Sequence, residues 1–341
     1  MTDFGEKYAA ELESELRASV PEGGDAAGLY DMLRYHLGWL EDQDASSRAS
    51  GGKRIRPTLC MMACEAYGGD YRPALPAAAA VELLHNFTLI HDDIQDRSAE
   101  RRHRSTVWKL WGEAQAINAG DVMNSLARLA MLRMAGRGVG AAVILQALNM
   151  LDRTCARICE GQYLDLHFEN RLDIDRETYL GMIERKTAAL VGCALEMGAL
   201  VGGASAEQVD LMRGLGETLG LAYQVQDDIL GIWGEPRVTG KPAADDIRRR
   251  KKTLPVVHAL ECASGEQKTR LAQILGQPRV DDNEVDEVMQ ILSVAGSRRF
   301  AEEEAARLYD QTIQLVANLA ISADARQVFT LLVRSLLQRP A

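Results

Sequence analysis

Two pairs of adjacent aspartates follow directly on apolar segments that have the periodicity of buried helices. The pairs are Asp92-Asp93 and Asp227-Asp228. A carboxylate at the end of a buried helix is unfavourable unless a cation compensates it. Hard divalent ions such as Mg²⁺ prefer carboxylate oxygens and commonly take their remaining ligands from water and substrate phosphates. The pattern therefore predicts a magnesium site that handles a phosphate-bearing substrate.

Asp96 adds a third carboxylate to the first pair. On a helix it shares a face with Asp92, so their oxygens can converge on one ion. Basic residues gather near both pairs, within the ranges 53–56, 97–104 and 248–252. Carboxylates beside clustered cations suit a substrate with several phosphates, held through bridging magnesium ions.

Two other aspartate pairs have simpler interpretations. Asp281-Asp282 stands at the polar start of a predicted helix and is expected to be solvated. Asp245-Asp246 precedes a basic run, and we expect it to balance local charge or to cap a helix.

The composition favours a soluble, helical protein. The chain has 341 residues, a net charge of −10 and 47% apolar residues with few aromatics. It lacks the basic face of a nucleic-acid-binding protein. No secretory signal is evident, and the longest apolar stretch, 188–203, is too short to span a bilayer. We expect a cytoplasmic protein that is not integral to a membrane, with its six cysteines buried as reduced thiols.

The fold class predicted from helical periodicity is all-α, without any sheet. No linker divides the chain, so we expect a single domain, 1–341, in which residues 1–27 form a loosely packed N-terminal helix. The predicted helices are 5–19, 28–43, 55–67, 75–96, 107–133, 138–170, 176–203, 206–232, 254–263, 267–276, 282–295, 297–320 and 323–338.

Six motifs follow one another between roughly residues 45 and 260. They are Gly51-Gly52-Lys53-Arg54-Ile55-Arg56-Pro57, Asp92-Asp93-Ile94-Gln95-Asp96 with Arg101-Arg102, Lys186-Thr187, Gln224-Val225-Gln226-Asp227-Asp228, Thr239-Gly240-Lys241, and Lys251-Lys252-Thr253-Leu254-Pro255. In these residues the chain resembles the trans-isoprenyl diphosphate synthases of the polyprenyl synthetase family. The C-terminal helices are compatible with the family but carry no motif.

One departure concerns the second aspartate motif. It often ends in Asp in the family, whereas this chain has Gly231. Some members that resemble geranylgeranyl diphosphate synthases share this form, so we expect altered metal affinity rather than inactivity. The first motif has no inserted residues, unlike that of many bacterial farnesyl diphosphate synthases.

The resemblance implies an isoprenoid synthase helical bundle around a central deep apolar cavity. It implies a short-chain prenyltransferase that condenses isopentenyl diphosphate with dimethylallyl, geranyl or farnesyl diphosphate and releases pyrophosphate. It also implies a homodimer, and three Mg²⁺ ions when substrate is bound. The implied metal ligands are Asp92, Asp93, Asp96, Asp227 and Asp228.

Other residues take roles by the same resemblance. The released pyrophosphate is the expected base, so no protein base is assigned. Arg101, Lys186, Lys241 and Lys251 would surround the leaving pyrophosphate. Lys53, Arg56, His85 and Arg102 would hold the diphosphate of isopentenyl diphosphate. Thr187 and Gln224 would place oxygen dipoles near the allylic cation.

A growing prenyl chain must extend into an apolar tunnel between helices, and a bulky side chain on the tunnel wall should stop elongation. We therefore predict product length from the residue that would end this tunnel. Phe87 lies five residues before Asp92, and with the small Thr88 beside it this matches the geranylgeranyl synthase pattern. We therefore expect a C20 product, with farnesyl (C15) or C25 and longer products as alternatives. A terpene cyclase would normally replace the second cluster, and a regulatory subunit would tend to lose one cluster. Both alternatives are less compatible with this sequence.

Overall fold

The computed structural model describes residues 3–40, 52–169, 171–235, 244–277 and 279–337. Helices dominate these residues, which confirms the predicted all-α class. In chain order they are α1 (Asp3–Ser19), α2 (Ala27–His36), α3 (Ile55–Gly68), α4 (Leu75–Gln95), α5 (Val107–Trp111), α6 (Glu113–Leu132), α7 (Ala141–Phe168), α8 (Arg176–Ile183), α9 (Ala189–Val201), α10 (Ala206–Trp233), α11 (Asp245–Arg248), α12 (Leu254–Cys262), α13 (Gly265–Leu275), α14 (Asp282–Val294), α15 (Ser297–Ala317) and α16 (Ala323–Leu337).

Two predicted helices are interrupted. The predicted helix 107–133 divides into α5 and α6 because Gly112 has a φ of 84°, which a helix cannot continue. The predicted helix 176–203 contains a π-helical turn, Glu184–Ala188, between α8 and α9. Such turns are rare and occur often at functional sites.

The prediction that the chain has no strand is wrong at one place. A two-residue strand, β1 (Glu100–Arg101), pairs with β2 (Arg104–Ser105) in an antiparallel hairpin. Two residues are too few to give an alternating pattern, so periodicity does not reveal them.

The chain forms two compact units. The first comprises Met1–Cys155 with Cys193–Arg213, and the second comprises Ala156–Gly192 with Gly214–Ala341. The single-domain organisation stays a prediction. The N-terminal helix α1, expected to pack loosely, in fact buries its apolar face, since Leu12 is 3% exposed and Leu16 is fully buried.

In the first unit, α4 is a central helix that ends in the first aspartate cluster. Its residues Ala77–Leu84 are all buried, because α1, α3 and α6 pack around it. The segment Arg72–Gln95 is long and apolar enough to cross a membrane by composition alone, but 78% of its apolar window lies inside the protein. That burial identifies it as a core helix.

In the second unit, α10 approaches its neighbour closely through glycines. A Cβ added at Gly220 would lie 2.6 Å from the Cα of Ala188, and Gly216 is equally tight. A side chain at either position would push the two backbones apart. The same face of α10 continues at four-residue intervals to Gln224 and Asp228, so this packing positions the second aspartate cluster.

Cysteine burial is mixed. Cys60, Cys64, Cys155 and Cys193 are buried, as predicted. Cys159 and Cys262 are exposed, and the prediction of burial is wrong for them.

Candidate active site

The first aspartate cluster lies at the C-terminal end of α4. Asp92 is half-buried and Asp96 is exposed. The amide of Asp96 donates to the carbonyl oxygen of Asp92 at 2.8 Å, so one helical turn separates these residues and they share a face. The structure thus confirms that Asp92 and Asp96 share a helix face, as their spacing predicts. The role of the two carboxylates in metal binding stays a prediction.

Asp93 is held by Arg101. The Nε of Arg101 lies 2.9 and 3.0 Å from the two carboxylate oxygens of Asp93, and its Nη2 lies 2.8 Å from Oδ1. Burial raises the pKa of Asp93, and the contact with Arg101 opposes that shift. A bidentate pair of this kind fixes orientation as well as charge. Arg101 therefore ties the end of α4 to the hairpin that follows.

The turn of that hairpin is strained. Arg102 and His103 form it, with φ values of 54° and 61° in the left-handed region. Two-residue hairpin turns with positive φ at both positions usually contain Asn and Gly, because other residues adopt this conformation at a cost. Such strain is concentrated at functional sites in proteins. Here it places a guanidinium at the tip of the turn.

Arginines surround two histidines in the first unit. The Nη1 of Arg56 lies 3.3 Å from Nε2 of His85. Burial, followed by the charges of Arg56 and Arg102, lowers the pKa of His85 well below 6.5. Burial, followed by the charge of Arg101, lowers the pKa of His36 to about 3. Both imidazoles are uncharged at neutral pH, so the positive charge here belongs to the arginines.

Arg102 is enclosed within this arginine cluster. A Cβ added at Gly52 would lie 2.8 Å from the Nη2 of Arg102, so the guanidinium rests against the backbone there. Burial lowers the pKa of Arg102, and Glu82 raises it. Glu82 also pairs with Arg54 at 2.6 Å. Lys53 is exposed beside them. Among the described residues of this cluster, the buried carboxylates of Glu82 and Asp93 are fewer than the guanidiniums, which leaves an excess of positive charge, as an anion-binding site requires.

The second aspartate cluster contains a carboxylate that is fully engaged by the protein. Asp228 is 3% exposed and accepts hydrogen bonds from the Tyr179 hydroxyl at 2.5 Å, the Leu254 amide at 3.0 Å and the Gln224 side-chain amide at 3.0 Å. Burial raises the pKa of Asp228 to about 7, although these hydrogen bonds act in the opposite direction. Asp227, by contrast, is only half-buried.

Gln224 links two predicted site residues. Its Oε1 accepts from the hydroxyl of Thr187 at 3.1 Å, while its Nε2 donates to Asp228. The chain of hydrogen bonds fixes the orientation of the Gln224 amide. The predicted role of Thr187 and Gln224 as dipoles near a cation stays a prediction.

Lys186 lies in the π-helical turn and forms a short ion pair with Asp165. A Cβ added at Gly161 would lie 2.3 Å from the backbone nitrogen of Lys186, so α7 and the π-helical turn are in close backbone contact. The carboxylate and the close packing together determine where the ammonium lies.

The remaining predicted cations differ in what the structure says of them. Lys241 lies outside the described residues. Lys251 is exposed, and its Nζ lies 3.9 Å from Oδ1 of Asp246.

The pair Asp245-Asp246 begins α11 without a side-chain cap, so the capping alternative is wrong for it. Asp281 does cap α14, as expected for a solvated helix start.

The residues assigned to product length lie in the first unit. Phe87 is 7% exposed and meets the ring of His91 edge to face, with the ring centroids 4.9 Å apart. The hydroxyl of Thr88 donates to the carbonyl oxygen of His85 at 2.8 Å.

The predicted central apolar cavity stays a prediction. A pocket of about 1080 Å³ in the second unit, lined by Tyr163 and Phe168 among others, includes none of the predicted site residues.

The donor set fits Mg²⁺. Asp93 and Asp228 are held by protein donors, whereas Asp92, Asp96 and Asp227 are more exposed oxygen donors of the type that Mg²⁺ prefers. Within the described ranges, no three His, Cys, Asp or Glu side chains converge closely enough to hold a metal ion alone. Ions that keep several waters and bind substrate phosphates need fewer protein ligands than that.

The sequence model of the polyprenyl synthetase family matches residues 39–292. That range covers well over half of the chain and includes all six motifs. The chain belongs to the polyprenyl synthetase family.

The curated relatives that this polyprenyl synthetase resembles are named for two different product lengths. A (2E,6E)-farnesyl diphosphate synthase of Mycobacterium tuberculosis is 43% identical over 294 residues, which cover 85% of this chain and 80% of the relative. A geranylgeranyl diphosphate synthase of the same species is 40% identical over 298 residues, covering 87% and 82%. The crystal structure of a polyprenyl synthetase from Streptomyces coelicolor matches with a TM-score of 0.89 and 34% identity, over 97% of this chain and 98% of that one. This polyprenyl synthetase is therefore a short-chain trans-prenyl diphosphate synthase whose product length the relatives leave open.

Three residues that hold members of the predicted motifs in place are not predicted from the sequence. They are Tyr179, which donates to Asp228, Asp165, which pairs with Lys186, and Glu82, which pairs with Arg54. Glu82 is a charged residue within a largely apolar helical segment, a signal that it needs a buried cation. Asp165 lies in a segment of mixed polarity and is only half-buried, so the sequence gives no such signal for it. Tyr179 offers no such signal, because a tyrosine on a helix is unremarkable.

Asp228 should make the stability of the metal-free polyprenyl synthetase depend on pH. The pKa of Asp228 is raised to about 7 in the folded chain, so the fold prefers the protonated carboxyl group. The resulting contribution to the free energy of unfolding is fully present below about pH 4. It is lost as the pH rises to about 7, because the folded chain must then hold a buried carboxylate. The free energy of unfolding of the wild type, minus that of Asp228→Asn, should fall by up to about 4 kcal/mol between these pH values. Chemical denaturation in chelator measures both.

The exposed Asp286 provides the control for this measurement. Asp286→Asn removes a carboxylate that the fold leaves exposed, so its difference from the wild type is the baseline for the difference that Asp228→Asn gives. A pH-independent difference for Asp228→Asn would mean that Asp228 ionises normally in the fold.

Proposed function

We propose that this synthase condenses isopentenyl diphosphate with an allylic diphosphate in a Mg²⁺-dependent reaction and makes geranylgeranyl diphosphate. The observation that carries the proposal is the arginine cluster beside the first aspartate cluster. One unit thus holds carboxylates suited to magnesium together with guanidiniums suited to a further anion. A reaction between two diphosphates needs both kinds of site.

The allylic diphosphate is assigned to the carboxylates. Asp92, Asp96 and Asp227 would be direct ligands, with Asp93 and Asp228 orienting their helix ends. Mg²⁺, when bound, neutralises phosphate charge and stabilises the departing pyrophosphate. Three ions per bound substrate are expected from the family.

The cations of the chain act on the leaving group. Arg101, Lys186, Lys241 and Lys251 would donate hydrogen bonds to the pyrophosphate as its negative charge develops. The ion pair with Asp165 supports this role for Lys186, since it holds the ammonium in place before substrate arrives. Arg101 would share its guanidinium between Asp93 and a phosphate.

The diphosphate of isopentenyl diphosphate is assigned to the arginine cluster. Arg56 and Arg102 would donate paired hydrogen bonds to its oxygens, with Lys53 closing the site from the exposed side. His85, being uncharged, would contribute a neutral hydrogen-bond donor. Released pyrophosphate would take the proton, so no protein base is assigned.

Thr187 and Gln224 would face the allylic cation with neutral oxygen dipoles. Their mutual hydrogen bond at 3.1 Å supports this assignment because it keeps the dipoles oriented. Neutral oxygens stabilise positive charge and are alkylated less readily than stronger nucleophiles. The allylic primer would be dimethylallyl, geranyl or farnesyl diphosphate.

An incorporation assay tests the activity. Purified chain with Mg²⁺, labelled isopentenyl diphosphate and an allylic primer should yield labelled prenyl diphosphate. Asp92→Ala and Asp227→Ala should each lower turnover by several orders of magnitude, because the metal loses a direct ligand. Their circular dichroism spectra should match the wild type, since both residues are only half-buried.

Asp286→Ala, at an exposed position of α14, is the matched control and should retain full turnover. Loss of helical signal in the two variants would make the carboxylates structural. No incorporation by the wild type with any primer would favour a regulatory subunit, and hydrocarbon released from geranylgeranyl diphosphate alone would favour a terpene cyclase.

Product length rests on Phe87. Its ring is buried against His91 in α4, where we propose that it ends the tunnel for the growing chain. Phe87→Ala should release products longer than C20, which chromatography of the dephosphorylated products measures. Leu89→Ala lies two residues away on a different helix face and should leave the length unchanged. Unchanged products for Phe87→Ala would exclude it as the tunnel end, and C15 products from the wild type would establish the farnesyl alternative.

We also propose that the synthase is a cytoplasmic homodimer. Exposed leucines on α6, Leu129 and Leu132, are 56% and 51% exposed and would be covered by a second copy. Light scattering should give a dimer for the wild type and a monomer for Leu129→Glu. Val294→Glu, at a position 70% exposed in the second unit, is the control and should stay dimeric. A monomeric wild type would contradict the proposal.

A further inference from the structure

The second aspartate cluster lacks a carboxylate at position 231, and another carboxylate lies where that side chain would begin. A Cβ added at Gly231 would be 1.9 Å from Oδ2 and 2.6 Å from Cγ of Asp246. Non-bonded atoms cannot approach so closely. The carboxyl group of Asp246 therefore occupies the space of a side chain at position 231. Both residues belong to the second unit.

This position is next to the second cluster. Residue 231 follows Asp227 by four positions and Asp228 by three on α10, and residues with these spacings are neighbours on a helix surface. Asp246 thus brings a third carboxylate to the helix face on which the family motif often has one.

Asp246 is not accounted for by its protein contacts. It is 7% exposed, and its buried Oδ1 has no hydrogen-bond partner. The Nζ of Lys251 lies 3.9 Å from that oxygen, beyond hydrogen-bond length. Leaving a buried acceptor unsatisfied is unfavourable, so a natural protein normally has a reason for it.

Two ordinary explanations for Asp246 do not apply. It does not cap α11, which has Ala244 at its N-cap and no side-chain cap. Its neighbour Asp245 also has a buried oxygen without a hydrogen-bond partner, but that oxygen lies 3.0 Å from the Nε of Arg249, whereas the cation nearest to Oδ1 of Asp246 among its described ion pairs is 3.9 Å away. A buried carboxylate oxygen that accepts no hydrogen bond and caps no helix is suited to a group bound from outside the chain.

We infer that Asp246 supplies the third carboxylate of the second cluster, and that Gly231 provides the space which admits it. The inference rests on the proposed function, in which this cluster holds Mg²⁺ and pyrophosphate. Asp246 would act on the metal directly or through one of its waters, since Mg²⁺ retains several. The missing carboxylate is then replaced from another part of the chain rather than lost.

Metal affinity tests this role apart from turnover. Electron paramagnetic resonance measures Mn²⁺ bound to the full chain with inorganic pyrophosphate. Asp246→Ala and the similarly sized Asp246→Asn should each weaken Mn²⁺ binding by about 10–100-fold, as loss of a supporting metal-site group does. Asp245→Asn is the matched control and should bind as the wild type does.

Two further variants separate a metal role from a structural one. Gly231→Asp in the Asp246→Ala background returns a carboxylate to the same space and should restore most of the Mn²⁺ affinity. Gly231→Ala alone should weaken binding because its Cβ displaces Asp246. Gly214→Ala, on the same helix with nothing within 4 Å of the added Cβ, should not.

The outcomes distinguish this inference from the proposed function. Wild-type incorporation of isopentenyl diphosphate with unchanged Mn²⁺ binding in both Asp246 variants would overturn the inference and leave the function intact. Weaker binding that Gly231→Asp does not restore would also overturn it, because Asp246 would then be structural. A wild type that neither binds Mn²⁺ with pyrophosphate nor incorporates label would overturn both.

Discussion

The cost of burying a carboxylate governs the construction of both aspartate clusters. A charged group at the end of an apolar helix must find donors or cations, or it becomes protonated. Asp93 meets this demand through Arg101, and Asp228 meets it through Tyr179, Gln224 and the Leu254 amide. These contacts fix the two helix ends. The aspartates that we propose as direct metal ligands, Asp92, Asp96 and Asp227, are the more exposed members of the two clusters.

The cost of burying charge also governs the arginine cluster, where the buried groups are positive. Enclosing several guanidiniums in one unit is unfavourable, and the buried carboxylates of Glu82 and Asp93 partly compensate them by pairing with Arg54 and Arg101. The cluster limits its own charge by keeping His36 and His85 neutral, since burial and the neighbouring arginines hold the pKa values of both histidines below the ordinary value. An incoming diphosphate would relieve the remaining repulsion, so this unit is electrostatically prepared for an anion.

Local patterns in the sequence predicted the parts of the site that are themselves local. The buried helices α4 and α10, and the shared face of Asp92 and Asp96, follow from apolar periodicity and a four-residue spacing. The partners that hold the site were not predictable in this way. Tyr179 and Asp228 lie 49 positions apart, and Lys186 and Asp165 lie 21 apart. Contacts across such distances are decided by packing, which periodicity does not describe.

Irregular elements were missed for a related reason. The π-helical turn at Glu184–Ala188 leaves the apolar pattern on both sides intact, so the segment reads as one continuous helix. The hairpin with two-residue strands lacks the Asn-Gly turn sequence that usually predicts such a turn. Asp246 was interpreted from its charged neighbours, whereas its surroundings are set by a glycine fifteen positions earlier.

The hairpin turn illustrates a conflict between stability and function. Glycine at position 102 or 103 would adopt the observed left-handed backbone more easily, and at position 102 it would relieve about 1–2 kcal/mol of strain. It would also remove the guanidinium that rests against Gly52. Substitutions that stabilise a protein commonly reduce activity where an active site depends on strain. Engineering for thermal resistance would therefore do best to leave this turn alone and seek its gains elsewhere in the chain.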